Sequence, residues 1–262
     1  CKEGQIFIEP QGFAIMSDIG KDQGCDKKTL AAIDERLNTQ YGLVLNNPAF
    51  TKYYIQYGEI STYPGGYKEN AGIFTHNNAW IICAAAYAGA GDQAFKYYSE
   101  IAPAFTEETS DIGKPGNHFG QGKNSWLTGT AAWNMVAISQ YILGISADFD
   151  GLKIDPSIPA AWDGLNATRQ FRGATYDIKV TNPDHVNKGI KSVTVDGNAI
   201  EGNVLPVFGD GKTHSVKMCS VYNGISLITF TITATRSRNV CPFNAIFCPA
   251  FAFASRSSSC FR

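Results

Sequence analysis

The segment NNAWIICAAAYAGAG, residues 77–91, constrains the fold more than any other part of the chain. From about Asn78 to Ala90 nearly every side chain is apolar. A surface helix carries one apolar stripe and one polar face, and this run has no polar face, so it predicts a helix buried on all sides. A chain that holds such a helix must wrap other elements around it. Three neighbouring segments have the right pattern. DKKTLAAIDERLNTQYG offers Asp26 as an N-cap, apolar residues at Leu30, Ile33 and Leu37, and Gly42 as a stop. Gly91 ends the apolar run and Asp92 caps DQAFKYYSEIA, which Pro103 terminates. GTAAWNMVAISQYILG starts near Thr128 or Thr130 and ends at Gly144. Apolar helices paired with more polar ones suit a concentric helical barrel whose long loops carry the site at one rim.

From about Asp148 the period changes to two. NATRQFRGATYDIKVTN reads as two strands around a Gly, and IKSVTVDGNAIEG carries an Asp-Gly hairpin turn. VLPVFGDGKTHSVKM adds a further strand pair around Gly209-Asp210-Gly211. Residues 1–147 are therefore expected to be mainly helical and 148–218 to form a small antiparallel β domain. Residues 219–262 lack acidic side chains and clear periodicity and gather Cys219, Cys241, Cys248 and Cys260. They read either as a disulfide-bearing extension or as sequence foreign to the fold.

Net charge is −1 and no basic run is visible, so no strong field points to nucleic acid or a membrane surface. Apolar stretches stay under the ~18 residues of a membrane span. The chain opens on Cys1 with no leader pattern, which is expected of a processed or truncated start. Sparse cysteine in the main body suits a reducing compartment, and the cytoplasm is the expected location. Tyr and Trp, each with an apolar face and a hydrogen-bonding edge, suit sugar binding and large cores alike.

Two motifs could carry chemistry. GYKENAGIFTHNNAW places Lys68, Glu69 and His76 beside Gly66 and Gly72, just ahead of the buried helix. A helix start favours anions, and a His there can donate to a phosphate or carboxylate. It can equally cap the helix, with Lys68 and Glu69 paired on the surface. KNSWLTGTAAW opens a second apolar helix with the Thr128 hydroxyl and the unshielded N–H of Gly129. This is either an anion cradle or an ordinary Thr cap, and it lacks the order of a P-loop. His76, His118, His185 and His214 are scattered and form no metal motif, and no nucleophile elbow occurs. Acid catalysis would have to use Glu59 or Glu69, or a group outside the chain.

YGEISTYPGGYKENAGIFTHNNAWI, GKNSWLTGTAAWNMVAISQYILGI, DGLKIDPSIPAAWDGL and FRGATYDIKVTNP with KGIKSVTVDG together closely resemble the C-terminal part of cellobiose phosphorylases, the inverting glycoside phosphorylases of glycoside hydrolase family 94. The resemblance runs from about Gly4 to Val216. It implies the end of an (α/α)6 barrel followed by a small β-sandwich. It also implies phosphorolysis of a β-glucoside such as cellobiose by inorganic phosphate, with no metal or organic cofactor, and a homodimer in the intact protein. By motif, His76, Thr128 and Gly129 are the implied phosphate-binding set. Lys68, Glu69 and, at the border, Tyr63 are implied to hold the leaving sugar. The family's acid, an Asp in a Trp-Asn-Asp type segment, has no counterpart here. Its Glu-Pro-Tyr insert with a sugar-binding Gln is replaced by KPGNHFGQ, where Gln121 is a doubtful substitute. The isolated chain is thus expected to show little or no turnover. A non-catalytic sugar-binding or structural remnant, or a hydrolase of similar fold, stands as the alternative.

Overall fold

The computed structural model describes residues 2–105 and 129–221. The order is β1 (Ile6–Phe7), α1 (Ile8–Met16), α2 (Cys25–Arg36), β2 (Asn38–Thr39), β3 (Gly42–Leu43), β4 (Asn46–Asn47), α3 (Thr75–Tyr87), α4 (Gly91–Ile101) and α5 (Thr130–Val136). The run of α5 continues as a π-helical turn, Ala137–Ile142. Strands then follow: β5 (Ile145–Ala147), β6 (Leu152–Ile154), β7 (Gly164–Phe171), β8 (Ala174–Thr181), β9 (Ser192–Val195), β10 (Asn198–Ile200), β11 (Val204–Leu205) and β12 (Thr213–Cys219). The chain is thus mainly helical, then mainly sheet.

The helices form two layers around α3. Ala79, Ile81, Ile82, Cys83, Ala84 and Ala85 have no exposed surface, as an all-apolar helix requires. α1 runs parallel to α3. Glu9 meets Asn77, a Cβ at Gly12 would sit 2.8 Å from Ile81, and Asp18 accepts a hydrogen bond from Tyr87 at the far end. α5 also runs parallel to α3, since Trp80 packs on Trp133 near both starts and the fields of Cys83 and Tyr87 reach Tyr141 near both ends. α4 returns antiparallel after the short turn 88–90, so Ile101 comes back beside Gly42 and Asn78 at the start of α3. α2 lies along α4 in the same direction, bonded from Gln93 to the Leu30 carbonyl, from Lys96 to Asp34 and from Asn38 to Glu100. α1, α3 and α5 therefore make one layer, and α2 and α4 the other.

Several local expectations change. α2 starts at Cys25 after Gly24, with Asp26 inside its first turn, and it ends at Arg36, so Gly42 belongs to the hairpin that follows. Asp92 likewise lies within α4 and accepts a hydrogen bond from the Ala160 N–H at 2.9 Å, which ties α4 to the sheet region. Of residues 219–262 only the first three are described: Cys219 completes β12, and the Ser220 N–H bonds to the Thr181 carbonyl.

The strands form a five-stranded sheet, β10-β9-β12-β8-β7, and a three-stranded sheet, β11-β6-β5. Their inward side chains make one core, with Leu152, Ile154 and Leu205 from one sheet facing Tyr176, Ile178, Val195 and Val216 from the other. The hairpin β7–β8 and the Asp196-Gly197 turn between β9 and β10 form as the alternation predicts, with positive φ at both turn residues. Two expectations do not hold. β11 and β12 do not pair with each other, because β11 joins β6 in the smaller sheet. The large sheet is not wholly antiparallel, because β12 runs parallel to β8. The intervening excursion through β9, β10 and β11 is long enough for the crossover that a parallel pair needs.

β12 alternates buried and exposed residues, and its first inward position is His214. The ring stacks on Phe208 at 3.6 Å and places Nδ1 2.7 Å from Asp196 and Nε2 3.1 Å from Asp210. Both nitrogens can donate together only in the imidazolium form. The bond to Asp196, aided by Asp210, raises the His214 pKa above its ordinary 6.5. Asp196 is held low chiefly by His214, and Asp210 chiefly by the Lys212 N–H. A raised His pKa adds stability that is complete below 6.5 and lost as pH climbs through the folded value. The melting temperature is therefore expected to fall as pH rises from 6.5 into the alkaline range, and His214→Gln should flatten that slope. An unchanged slope in the variant would assign the pH dependence to another group.

Candidate functional site

The polar chemistry of the helical layer gathers where α3 and α5 begin. His76 is the second residue of α3, not the residue before it, and the N-cap position is Phe74. His76 therefore does not cap the helix. Among the described residues no N-cap side chain bonds the start of α3, and the N-cap position of α5 is Gly129. The first-turn N–H groups of a helix have no partner within the helix itself. His76 is half-buried and packs edge-on against Trp80 at 5.3 Å, and Trp80 meets Trp133 at 6.0 Å. Trp133 in turn covers Gly129. A Cβ at that position would fall 2.8 Å from Trp133 Cδ1, so glycine is what lets the indole close on the helix start. The chain His76–Trp80–Trp133–Gly129 thus brings two of the expected anion-site residues to adjacent helix starts. Thr128 and Gln121 lie outside the described residues.

Burial lowers the His76 pKa, and the charge of Glu9 acts in the opposite direction. At neutral pH the ring is accordingly neutral, with one N–H to donate, and an anion placed beside it would favour uptake of a second proton. Asn77 gives its Nδ2 hydrogen to Glu9 at 2.5 Å, while its Oδ1 and the Nε1 of Trp80 are buried without a partner in the described structure. Glu9, Asn77, Trp80 and Trp133 are the residues that reasoning from sequence missed at this place.

The segment ahead of α3 is a turn rather than an extended strand. Tyr67 bridges to Asn70, the Gly72 N–H bonds to the Lys68 carbonyl, and Lys68 has φ +48°. Lys68 and Glu69 can therefore face one side. The Lys68 ammonium lies 4.9 Å from the Tyr63 ring centre and 5.9 Å from that of Tyr67. Tyr63 donates its hydroxyl to Glu59 at 2.5 Å, and that bond is the largest reason its pKa is pushed up to about 12, with the Glu69 charge adding to it. The three residues expected to hold a sugar, Tyr63, Lys68 and Glu69, so lie in one patch of rings and charges, with Lys68 and Glu69 exposed and Tyr63 half-buried. Among the described residues no group of three or more His, Cys, Asp or Glu is placed to hold a metal ion.

A family model, the glycosyl hydrolase 94 superfamily catalytic domain, matches residues 1–144, a stretch that ends where Gly144 closes the last helical turn. The N,N'-diacetylchitobiose phosphorylase of Vibrio proteolyticus is 37% identical over 218 residues, which cover 78% of this chain and 27% of the relative. Two proteins of Paenibacillus borealis are also similar. Its solabiose phosphorylase is 33% identical over 83% of this chain and 30% of its own length. Its 3-O-beta-D-glucopyranosyl-beta-D-glucuronide phosphorylase is 34% identical over 82% and 29%. The chain thus spans less than a third of the length of these relatives.

Asn70 fastens the patch to the body. Fully buried, it accepts from the Phe50 N–H at 2.8 Å and donates to the carbonyls of Phe50 at 2.9 Å and Tyr63 at 2.7 Å. Asn70→Ala strands buried backbone groups and is expected to cost about 2–4 kcal/mol in urea unfolding. A loss under about 0.5 kcal/mol would show that the loop is held by other contacts.

Proposed function

We propose a glycoside phosphorylase role on one premise: this chain belongs to the glycosyl hydrolase 94 superfamily. The reaction is inverting phosphorolysis of a β-linked glucose disaccharide, with cellobiose and phosphate giving α-glucose 1-phosphate and glucose. An oxygen of inorganic phosphate bonds to the anomeric carbon as the glycosidic C–O bond breaks on the opposite face. The leaving oxygen takes its proton from an Asp carboxylic acid, proposed to lie in the part of the whole protein that this sequence does not contain.

In this reading His76, Thr128 and Gly129 hold the phosphate, and Lys68, Glu69 and Tyr63 hold the departing glucose. The observation that carries it is the meeting of two helix starts across Trp80 and Trp133. N–H donors and an imidazole neutralise a dianion there without forming a bond to it, which leaves its oxygens free to attack. For the sugar, the rings and charges around Tyr63 and Lys68 supply what a pyranose needs: a face to stack on and groups that bond its hydroxyls.

The two helical layers support placing residues 1–147 in the C-terminal part of an (α/α)6 barrel. The α5 residues Ala131, Ala132 and Met135 are exposed, Met135 to 61%, as an inner helix would be at the open end of an arc. Residues 148–218 are then the β-sandwich, which Cys219 and Ser220 extend through β12, and the remainder of 219–262 is sequence foreign to the fold. Phosphate is a co-substrate, and no metal or organic cofactor enters the reaction. A homodimer and a cytoplasmic location complete the proposal. The cytoplasmic reading is supported by the thiols of Cys83 and Cys219.

In a full-length protein carrying this segment, glucose 1-phosphate is expected to form from cellobiose only when phosphate is present. His76→Ala should raise the phosphate KM by about 10–100-fold, the loss of one hydrogen bond to a charged group, and leave thermal stability within about 1 kcal/mol. Glucose release without phosphate would indicate a hydrolase. An unchanged phosphate KM would remove His76 from the site.

A further inference from the structure

We propose that Glu9 is a positioning residue for the phosphate seat: from the first turn of α1 it fixes the Asn77 side chain and lends its charge to the His76 ring. The inference rests on the phosphate reading above, but its physical core does not. Glu9 is polar where its neighbours Ile8, Gly12 and Ile15 are buried, and it stands at the same end of the inner layer as the starts of α3 and α5. Its Oε1 takes the Asn77 Nδ2 hydrogen at 2.5 Å. A carboxylate can only accept, so this contact fixes which end of the amide faces α1. Asn77 is 5% exposed, and its Oδ1 is left buried and unpartnered. Asn77 thus presents a held, unsatisfied acceptor beside His76, suited to a ligand that carries a hydroxyl.

The second effect is electrostatic. Among the described residues, the charge that reaches the His76 ring is that of Glu9. The other groups packed around the ring, Phe74 and Trp80, and Trp133 behind them, carry no charge. Burial favours the neutral ring, and Glu9 opposes it. Without that carboxylate the ring would resist the proton that a bound dianion asks of it. With it, the ring is poised to become a cation as the anion arrives, and Glu9, already committed to Asn77, need not approach the anion itself.

The test is an NMR titration of the His76 ring in the 262-residue chain, with His214 of the sheet region in the same spectra as a control. Glu9→Gln keeps an oxygen for Asn77 and removes the charge. The His76 midpoint is expected to fall by about half a pH unit or more while that of His214 stays put. In the unchanged protein, 1 M salt shortens the screening length to about 3 Å and should lower the same midpoint, an independent reading if the variant folds poorly. A midpoint that moves in neither series overturns the coupling. In the full-length protein, Glu9→Gln should raise the phosphate KM several-fold more than kcat falls. If the midpoint falls while the phosphate KM is unchanged, the Glu9–His76 pairing stands and the phosphate role of the seat is refuted.

Discussion

The whole molecule answers to the burial of α3. A helix without a polar face must be enclosed, and here α1 and α5 flank it while α4 covers it. Polar groups are affordable only where the helix begins, because there the backbone N–H donors are already without helical partners. That is where Asn78, buried and bonded to both the N–H and the carbonyl of Leu43, closes the strand region onto the helix. It is also where His76 and Asn77 sit. The chemistry of the chain is confined to one rim for the same reason that its core is stable: the rest of α3 offers nothing but side chains that exclude water.

The division between the two ends of the helical layer follows. At the finish of α3, the turn 88–90 reverses the chain, and the sheet region attaches there. Gly91 lies so close to Ile158 that a Cβ would be 2.2 Å from its carbonyl oxygen, Asp92 accepts from Ala160, and Phe95 packs on Trp162 at 4.9 Å. The end of α5 joins the same region, with the Ser157 N–H bonded to the Ile142 carbonyl. The sandwich therefore braces the end of the layer opposite to His76 and Gly129. It contributes rigidity to helices whose far ends carry the candidate site, and rigid elements hold functional groups better than loops do.

Much of this was readable from local pattern. The apolar helix from Asn78, the spacing of Leu30 and Ile33, and the turns at Gly173 and Asp196-Gly197 each depend on near neighbours, and each formed, although α3 ends at Tyr87 rather than Ala90 and Gly91 opens α4 instead of stopping α3. What failed depends on distant ones. α1 was not among the helices expected from the sequence, and its first turn holds Pro10 and its middle Gly12. Pro10 falls in the first turn, where a missing N–H costs little, and Gly12 is there because Ile81 approaches within 2.8 Å of where a Cβ would stand. The parallel pairing of β8 with β12 has no local signature, since either direction gives the same alternation. In the site, His76 and Gly129 were marked by their motifs, and their nearness through Trp80 and Trp133 was not. Glu9 was missed because its meaning comes only from Asn77, on another helix.

One consequence concerns why ionisable groups crowd the start of a helix that is otherwise apolar. A cation fixed beside α3 would bind anions tightly and hold them in the ground state, and a neutral ring alone would bind them weakly. A half-buried imidazole with a carboxylate behind it lies between these limits, because its charge depends on what stands in front of it. Burial by Trp80 and Phe74 sets one side of that balance and Glu9 the other. The aromatic wall is then part of the electrostatics as well as the packing. A smaller residue than Trp80 would admit water, weaken the desolvation of His76 and loosen the cover over Gly129 in one step, so the two helix starts are coupled through a single side chain.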